Sequence, residues 1–75
     1  MDRKVFAVLA SKARKLREDR NIAVDDMARR IGLTAESLSR FESAEERIEL
    51  DKLVCLVNVL GVPLISLYML DEGKG

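Results

Sequence analysis

The chain contains no histidine, and cysteine and proline occur once each, at Cys55 and Pro63. Without histidine it lacks the side chain that most often serves as general base or metal ligand. There is also no glycine-rich phosphate loop and no cluster of metal-ligating residues, and 75 residues leave little room for a substrate pocket. Neither enzyme, cofactor, metal nor small-molecule ligand is implied. A lone cysteine cannot close an internal disulfide, so a stapled secreted scaffold is excluded and a reducing cytoplasmic setting is expected.

Long apolar runs are missing too. Leu53–Leu60 and Leu64–Leu70 fall far short of the ~20 residues that cross a bilayer, and Met1-Asp2-Arg3-Lys4 leads into a charged amphipathic stretch rather than a signal sequence. No membrane partner is expected. No Asn-Gly hairpin and no period-two alternation marks a strand, and no linker or repeat divides the chain. Net charge is also lacking, since 13 basic and 13 acidic side chains cancel. An overall basic field that would draw the protein to phosphate is therefore absent. The charges are patchy instead: Arg3–Arg20 is strongly basic, whereas Glu42–Glu49 holds four Glu against one Arg.

What is present is 48% apolar and 35% charged residues in helical register. Val5, Phe6, Leu9, Ala13, Leu16 and Arg17 recur at three- and four-residue steps, predicting an extended first helix over 3–20 that stops near Asn21. A second helix fits Val24–Ile31, with Asp25 and Asp26 in its first turn and Gly32 after its end. Thr34 is a good N-cap for a third over Ala35–Ser43. A fourth spans Leu50–Leu60, closed by Gly61, and Pro63 opens a fifth over Leu64–Leu70. The expected fold class is all-α, a five-helix domain spanning 1–75. Cys55, inside the run Leu53-Val54-Cys55-Leu56-Val57, is expected to act as a small hydrophobe.

The segment 24–43 carries most of the functional information. Two short helices joined by a tight turn cross steeply. Ala28 is small where they must touch, Gly32 makes the turn, and Met27, Ile31, Leu33, Leu38 and Phe41 are spaced for one apolar seam. Ala35, Glu36, Ser39 and Arg40 are left on the outer face of the third helix.

This pattern resembles the helix-turn-helix of the phage repressor and Cro proteins, the XRE family of bacterial regulators. Leu16-Arg17, Phe41-Glu42, Leu53, Leu56, Val57, Leu60-Gly61-Val62 and Leu64–Leu67 fall where that five-helix pattern places similar residues, so the resemblance covers about residues 9–70. It implies a lambda-repressor-like fold and a regulator of transcription whose partner is double-stranded DNA, with the third helix in the major groove. Thr34, Ala35, Glu36, Ser37 and Arg40 become the base-reading candidates. Arg40 would grip guanine O6 and N7, Glu36 would accept from cytosine N4, and the Ala35 methyl would meet a thymine methyl. Ser43, Arg47 and the backbone amides starting at Val24 become the phosphate candidates, and Arg17 with Glu42 a structural ion pair.

The chain departs from the family pattern at two places. Ala23-Val24 stands where a polar cap followed by Gln is typical, and Ala44-Glu45-Glu46-Arg47-Ile48 where glycine, basic residues and proline are common. Two glutamates near the expected DNA backbone oppose phosphate binding. A rival reading therefore stays open: a protein-interaction module of the same fold, antirepressor- or antitoxin-like, with weakened DNA binding. The fifth helix carries more apolar groups than one side of a small domain can bury, so its surplus either packs on Val5 and Phe6 or faces a second subunit. A homodimer through Leu64, Ile65, Tyr68 and Met69 is expected, with Val54 and Val59 as further contributors.

Overall fold

Helices in this chain end where the backbone turns left-handed. The computed structural model describes residues 3–68. In it, α1 (Arg3–Asp19), α2 (Val24–Ile31), α3 (Ala35–Glu42) and α4 (Leu50–Leu60) are followed by Asn21, Gly32, Ala44 and Gly61, with φ of 56°, 78°, 62° and 75°. In each case the next residue's amide reaches back five positions to a helix carbonyl: Ile22 to Arg17, Leu33 to Ala28, Glu45 to Arg40 and Val62 to Val57, at 2.8–3.2 Å. These are Schellman closures, which satisfy carbonyls the helix itself leaves open. Glycine adopts the conformation freely and asparagine tolerates it, whereas Ala44 is strained there.

A short α5 (Ile65–Tyr68) follows Pro63, whose carbonyl accepts from the Ser66 amide at 2.9 Å. No strand occurs among the described residues. The first and third helices each end one residue earlier than the periodicity suggested, because Arg20 and Ser43 are drawn into the closing turns. α5 is described from Ile65 rather than Leu64, and Met69 and Leu70 lie outside the described residues.

The core is built at steps of three and four residues. Leu9, Ala10 and Ala13 of α1 meet Met27, Ala28 and Ile31 of α2, Leu38 and Phe41 of α3, the α4 stripe Leu53, Leu56, Val57 and Leu60, and Leu67 of α5. α1 crosses α3, α4 and α5, while α2 lies on α3 and α4. Of the expected seam, Met27, Ile31, Leu38 and Phe41 are buried and Leu33 is half-buried.

Cys55 is not in this core. The phase of the buried α4 stripe puts Val54, Cys55 and Asn58 on the outer face, and Cys55 is exposed. An apolar run exceeds what one helix face can bury, so its continuity says nothing about which member faces out. The surplus on α5 is divided in the same manner. Leu67 is buried, Leu64 is half-buried against the core, and Ile65 and Tyr68 are exposed.

Candidate nucleic-acid interface

The turn between α2 and α3 is three residues long, and each has a distinct task. Gly32 reverses the chain, Leu33 returns its amide to Ala28 at 2.8 Å and packs on the core, and Thr34 caps α3. The Thr34 hydroxyl accepts from the Ser37 amide at 3.0 Å, satisfying one of the donors left open at the helix start. Because Leu38 and Phe41 anchor the inner side of α3, helical geometry presents Glu36, Ser39 and Arg40 to solvent, with Ala35 and Ser37 half-buried at the rim.

Arg40 does not stand alone on that face. One guanidinium nitrogen, Nη2, pairs with the Glu36 carboxylate one turn earlier, and the other, Nη1, lies 3.6 Å from Glu46 Oε1. The base-reading candidates Glu36 and Arg40 are therefore joined as an i, i+4 pair that also engages the turn after α3. Sequence spacing made the first contact foreseeable. The second depends on the left-handed turn at Ala44, for which the sequence carries no glycine as a signal.

Beneath this face, Arg17 ties three segments together. Its Nε donates to Glu42 Oε2 at 2.8 Å and its Nη2 to Oε1 at 3.0 Å, while Nη1 reaches the Ile22 carbonyl at 2.6 Å. α1, the loop before α2 and the end of α3 are fixed by one planar fork. The Glu42 side chain is 4% exposed and that of Arg17 11%. Hydrogen bonding to Glu42, with the charges of Glu42 and Glu18, raises the guanidinium above its ordinary range against the lowering effect of burial.

Next to that fork a shallow cleft is lined by Arg14, Arg17, Val24, Ser39, Glu42 and Ser43. It brings Val24 and Ser43, two of the three phosphate candidates, to one place. Arg47 is elsewhere: its guanidinium lies 5.6 Å from the centroid of Phe6, whose ring in turn meets Phe41 at 6.1 Å. Arg14, which as part of the basic run Lys12, Arg14, Lys15 reads from sequence as a solvated face of the first helix rather than a DNA patch, lines this cleft beside Arg17. It holds Glu18 at 3.1 Å.

A helix-turn-helix family model matches residues 14–67, spanning the whole motif from the latter half of α1 to α5. The chain belongs to this family, the Cro/repressor-type (XRE) helix-turn-helix domains. These are DNA-binding transcription regulators and not an enzyme family. No curated protein and no solved structure matches the chain.

Within the helix-turn-helix frame the start of α2 is unusual. Ala23 is extended at the N-cap position and makes no side-chain cap, while Asp25 and Asp26 sit in the first turn. Asp26 is occupied by Arg30 at 3.1 Å and Arg29 at 3.6 Å. Among the described residues no group of His, Cys, Asp or Glu is arranged to hold a metal, and no helix is long and apolar enough to cross a membrane. Of the dimer candidates, Ile65 and Tyr68 are exposed, Leu64 packs inward, and Met69 lies outside the described residues.

Proposed function

We propose that this helix-turn-helix protein reads a specific DNA sequence with the outer face of α3, binds as a homodimer to a palindromic operator, and acts as a repressor or autoregulator. All five helices act as one domain on this reading, and the setting is the cytoplasm of a bacterial cell, where the operator is. The observation that carries the proposal is the presentation of Glu36 and Arg40, side by side and solvent-facing, on a helix whose opposite side is anchored by Leu38 and Phe41.

Seated in the major groove, Arg40 can take guanine O6 and N7 with its fork while Glu36 accepts from cytosine N4. The methyl of Ala35 is small enough to meet a thymine methyl, and Thr34 and Ser37 border the same edge. Val24 and Ser43, sharing a cleft with Arg14, are the anchors for a phosphate, with Arg47 a second anchor after α3. Arg17 and Glu42 hold the frame and touch no base. A seated dimer represses simply by occupying its site.

Exposed apolar groups support the dimer. Leu50 and Val54 on α4 and Ile65 and Tyr68 on α5 remain outside the core, and Leu50 and Tyr68 border one groove. To read two half-sites one turn of DNA apart, such a dimer must hold its two α3 helices about 34–36 Å from each other.

The test is to titrate the protein into mixed-sequence duplexes at low and moderate salt and to select enriched sites. The expected result is a palindrome of two half-sites, with Arg40→Ala relaxing one position in each and costing about 1–3 kcal/mol there. Absence of enrichment at any salt concentration would overturn sequence reading and favour binding to a partner protein through the acidic turn and α5.

A further inference from the structure

Glu46 stands off α3, yet it is bound to Arg40 twice. The left-handed turn at Ala44 folds the chain back so that the amides of Glu45 and Glu46 both donate to the Arg40 carbonyl, at 2.8 and 3.3 Å. The Glu46 carboxylate then lies 3.6 Å from Arg40 Nη1, while Nη2 is held by Glu36. Arg40 thus fixes Glu46 by its main chain and is restrained by Glu46 at its side chain. The guanidinium stays half exposed, within reach of a ligand.

From this arrangement we infer that Glu46 is a specificity-determining residue, one that holds Arg40 back from phosphate and releases it to guanine; the inference rests on the reading of α3 as the base-contacting helix. A free guanidinium on a DNA surface finds phosphate at every step, and each such contact strengthens binding to all sequences alike. Held between two carboxylates, Arg40 gains little from a phosphate, because Glu36 and Glu46 are then left uncompensated beside a polyanion. A correctly placed G·C pair removes part of that penalty. There Arg40 takes O6 and N7 with guanidinium protons that Glu46 leaves open, Nη1 keeps Glu46, and Glu36 turns to the cytosine amino group, so that neither carboxylate loses its partner. The acidic turn thereby lowers affinity everywhere and lowers it least at the right site, which is selectivity by penalising the wrong partner.

Glu45 provides the control, since it is exposed in the same turn and carries the same charge, while its carboxylate is not placed against Arg40. Affinities for the selected site and for a mixed-sequence duplex are measured across a salt series for Glu45→Gln, Glu46→Gln, and Glu46→Gln combined with Arg40→Ala. Glu45→Gln should raise both affinities by a similar factor. Glu46→Gln should raise mixed-sequence affinity about two- to fivefold more than site affinity, the span expected for an exposed ion pair. It should also steepen the mixed-sequence salt dependence by about 0.9, the mark of one further phosphate neutralised. Without Arg40, the effect of Glu46→Gln should shrink to that of Glu45→Gln. Equal selectivity for the two glutamine variants, or an effect that survives loss of Arg40, overturns the role of Glu46 while leaving base reading intact. A wild-type protein that prefers no sequence at all overturns base reading itself.

Discussion

Ala44 carries a methyl group in a conformation that suits glycine, and the reason is the turn it makes. At φ 62° it brings the Glu45 and Glu46 amides onto the Arg40 carbonyl. The left-handed region costs alanine roughly 1–2 kcal/mol. Ala44→Gly relieves this, offset by about 0.4–1 kcal/mol of extra freedom in the unfolded chain. The variant should be more stable by about 0.5–1 kcal/mol, seen as a higher urea midpoint at unchanged slope; a lower midpoint would mean that the contact of the methyl with the core outweighs the strain. The mirror case is Gly32→Ala, at φ 78°. A Cβ there would lie 2.9 Å from Lys52 Nζ, the free end of a flexible chain, so the backbone alone sets the cost. A loss of about 1–2 kcal/mol is expected.

Charge at the residue scale divides into two kinds. Arg17 and Glu42 are nearly enclosed, and removing one leaves the other buried without a counter-ion. Glu42→Ala should cost about 3 kcal/mol, a large share of the roughly 4–11 kcal/mol available to 75 residues. Arg40→Ala, on an exposed pair, should change stability by less than about 0.5 kcal/mol. Chemical denaturation of both variants checks the contrast, and equal losses would contradict it. The raised guanidinium of Arg17 fixes the sign of any pH effect. A group whose folded value lies above its unfolded one adds stability below the ordinary guanidinium range and loses it only as pH rises beyond that range. Arg17 therefore contributes no pH dependence of stability between pH 5 and 9, because it stays charged in the folded and unfolded chain throughout that interval.

Among the elements, α2 and α4 were legible to the residue because each ends on a glycine, and the start of α3 because Thr34 has the chemistry of a cap. Replacing that cap with alanine should cost about 1 kcal/mol and loosen the first turn of the helix that is proposed to read DNA. Amide exchange of α3 against α4 tests it, and a uniform change in both would assign the effect to global stability. Other features were hidden for physical reasons. In α4, Asp51 and Asn58 stand four residues before and three after Cys55 on the same face and mark it as outward, but the unbroken run Leu53–Val57 masked that phase, so Cys55 looked internal until the stripe Leu53, Leu56, Val57, Leu60 fixed the inward face. Ala44 gave no sign of a left-handed turn, and without that turn nothing placed Glu46 beside Arg40. In the candidate site, short-range pairs were readable from helical spacing. Contacts that depend on where a loop returns were not.

At the scale of the molecule, α1 does more than complete a bundle. Residues 3–13 precede the stretch matched by the family model, yet Leu9, Ala10 and Ala13 are buried, and Phe6 links Phe41 at the end of α3 to Arg47 in the turn beyond it. Among the described residues Val5 is the one large apolar side chain left exposed on α1, whereas Leu50, Val54, Ile65 and Tyr68 are exposed on α4 and α5, Leu50 at 64% and Ile65 at 61%. If these faces join two copies, Ile65 is the informative position, because its side chain is already outside the core and aspartate there need not disturb folding. Sedimentation should find the wild type as a dimer and Ile65→Asp as a monomer with unchanged helix content. DNA then separates assembly from recognition. On a duplex with two half-sites the variant should lose the gain that comes from linking two binding events, whereas on a single half-site it should match the wild type. A variant that remains dimeric would place the two-fold axis away from α5, and one that loses half-site binding as well would make Ile65 part of the DNA surface.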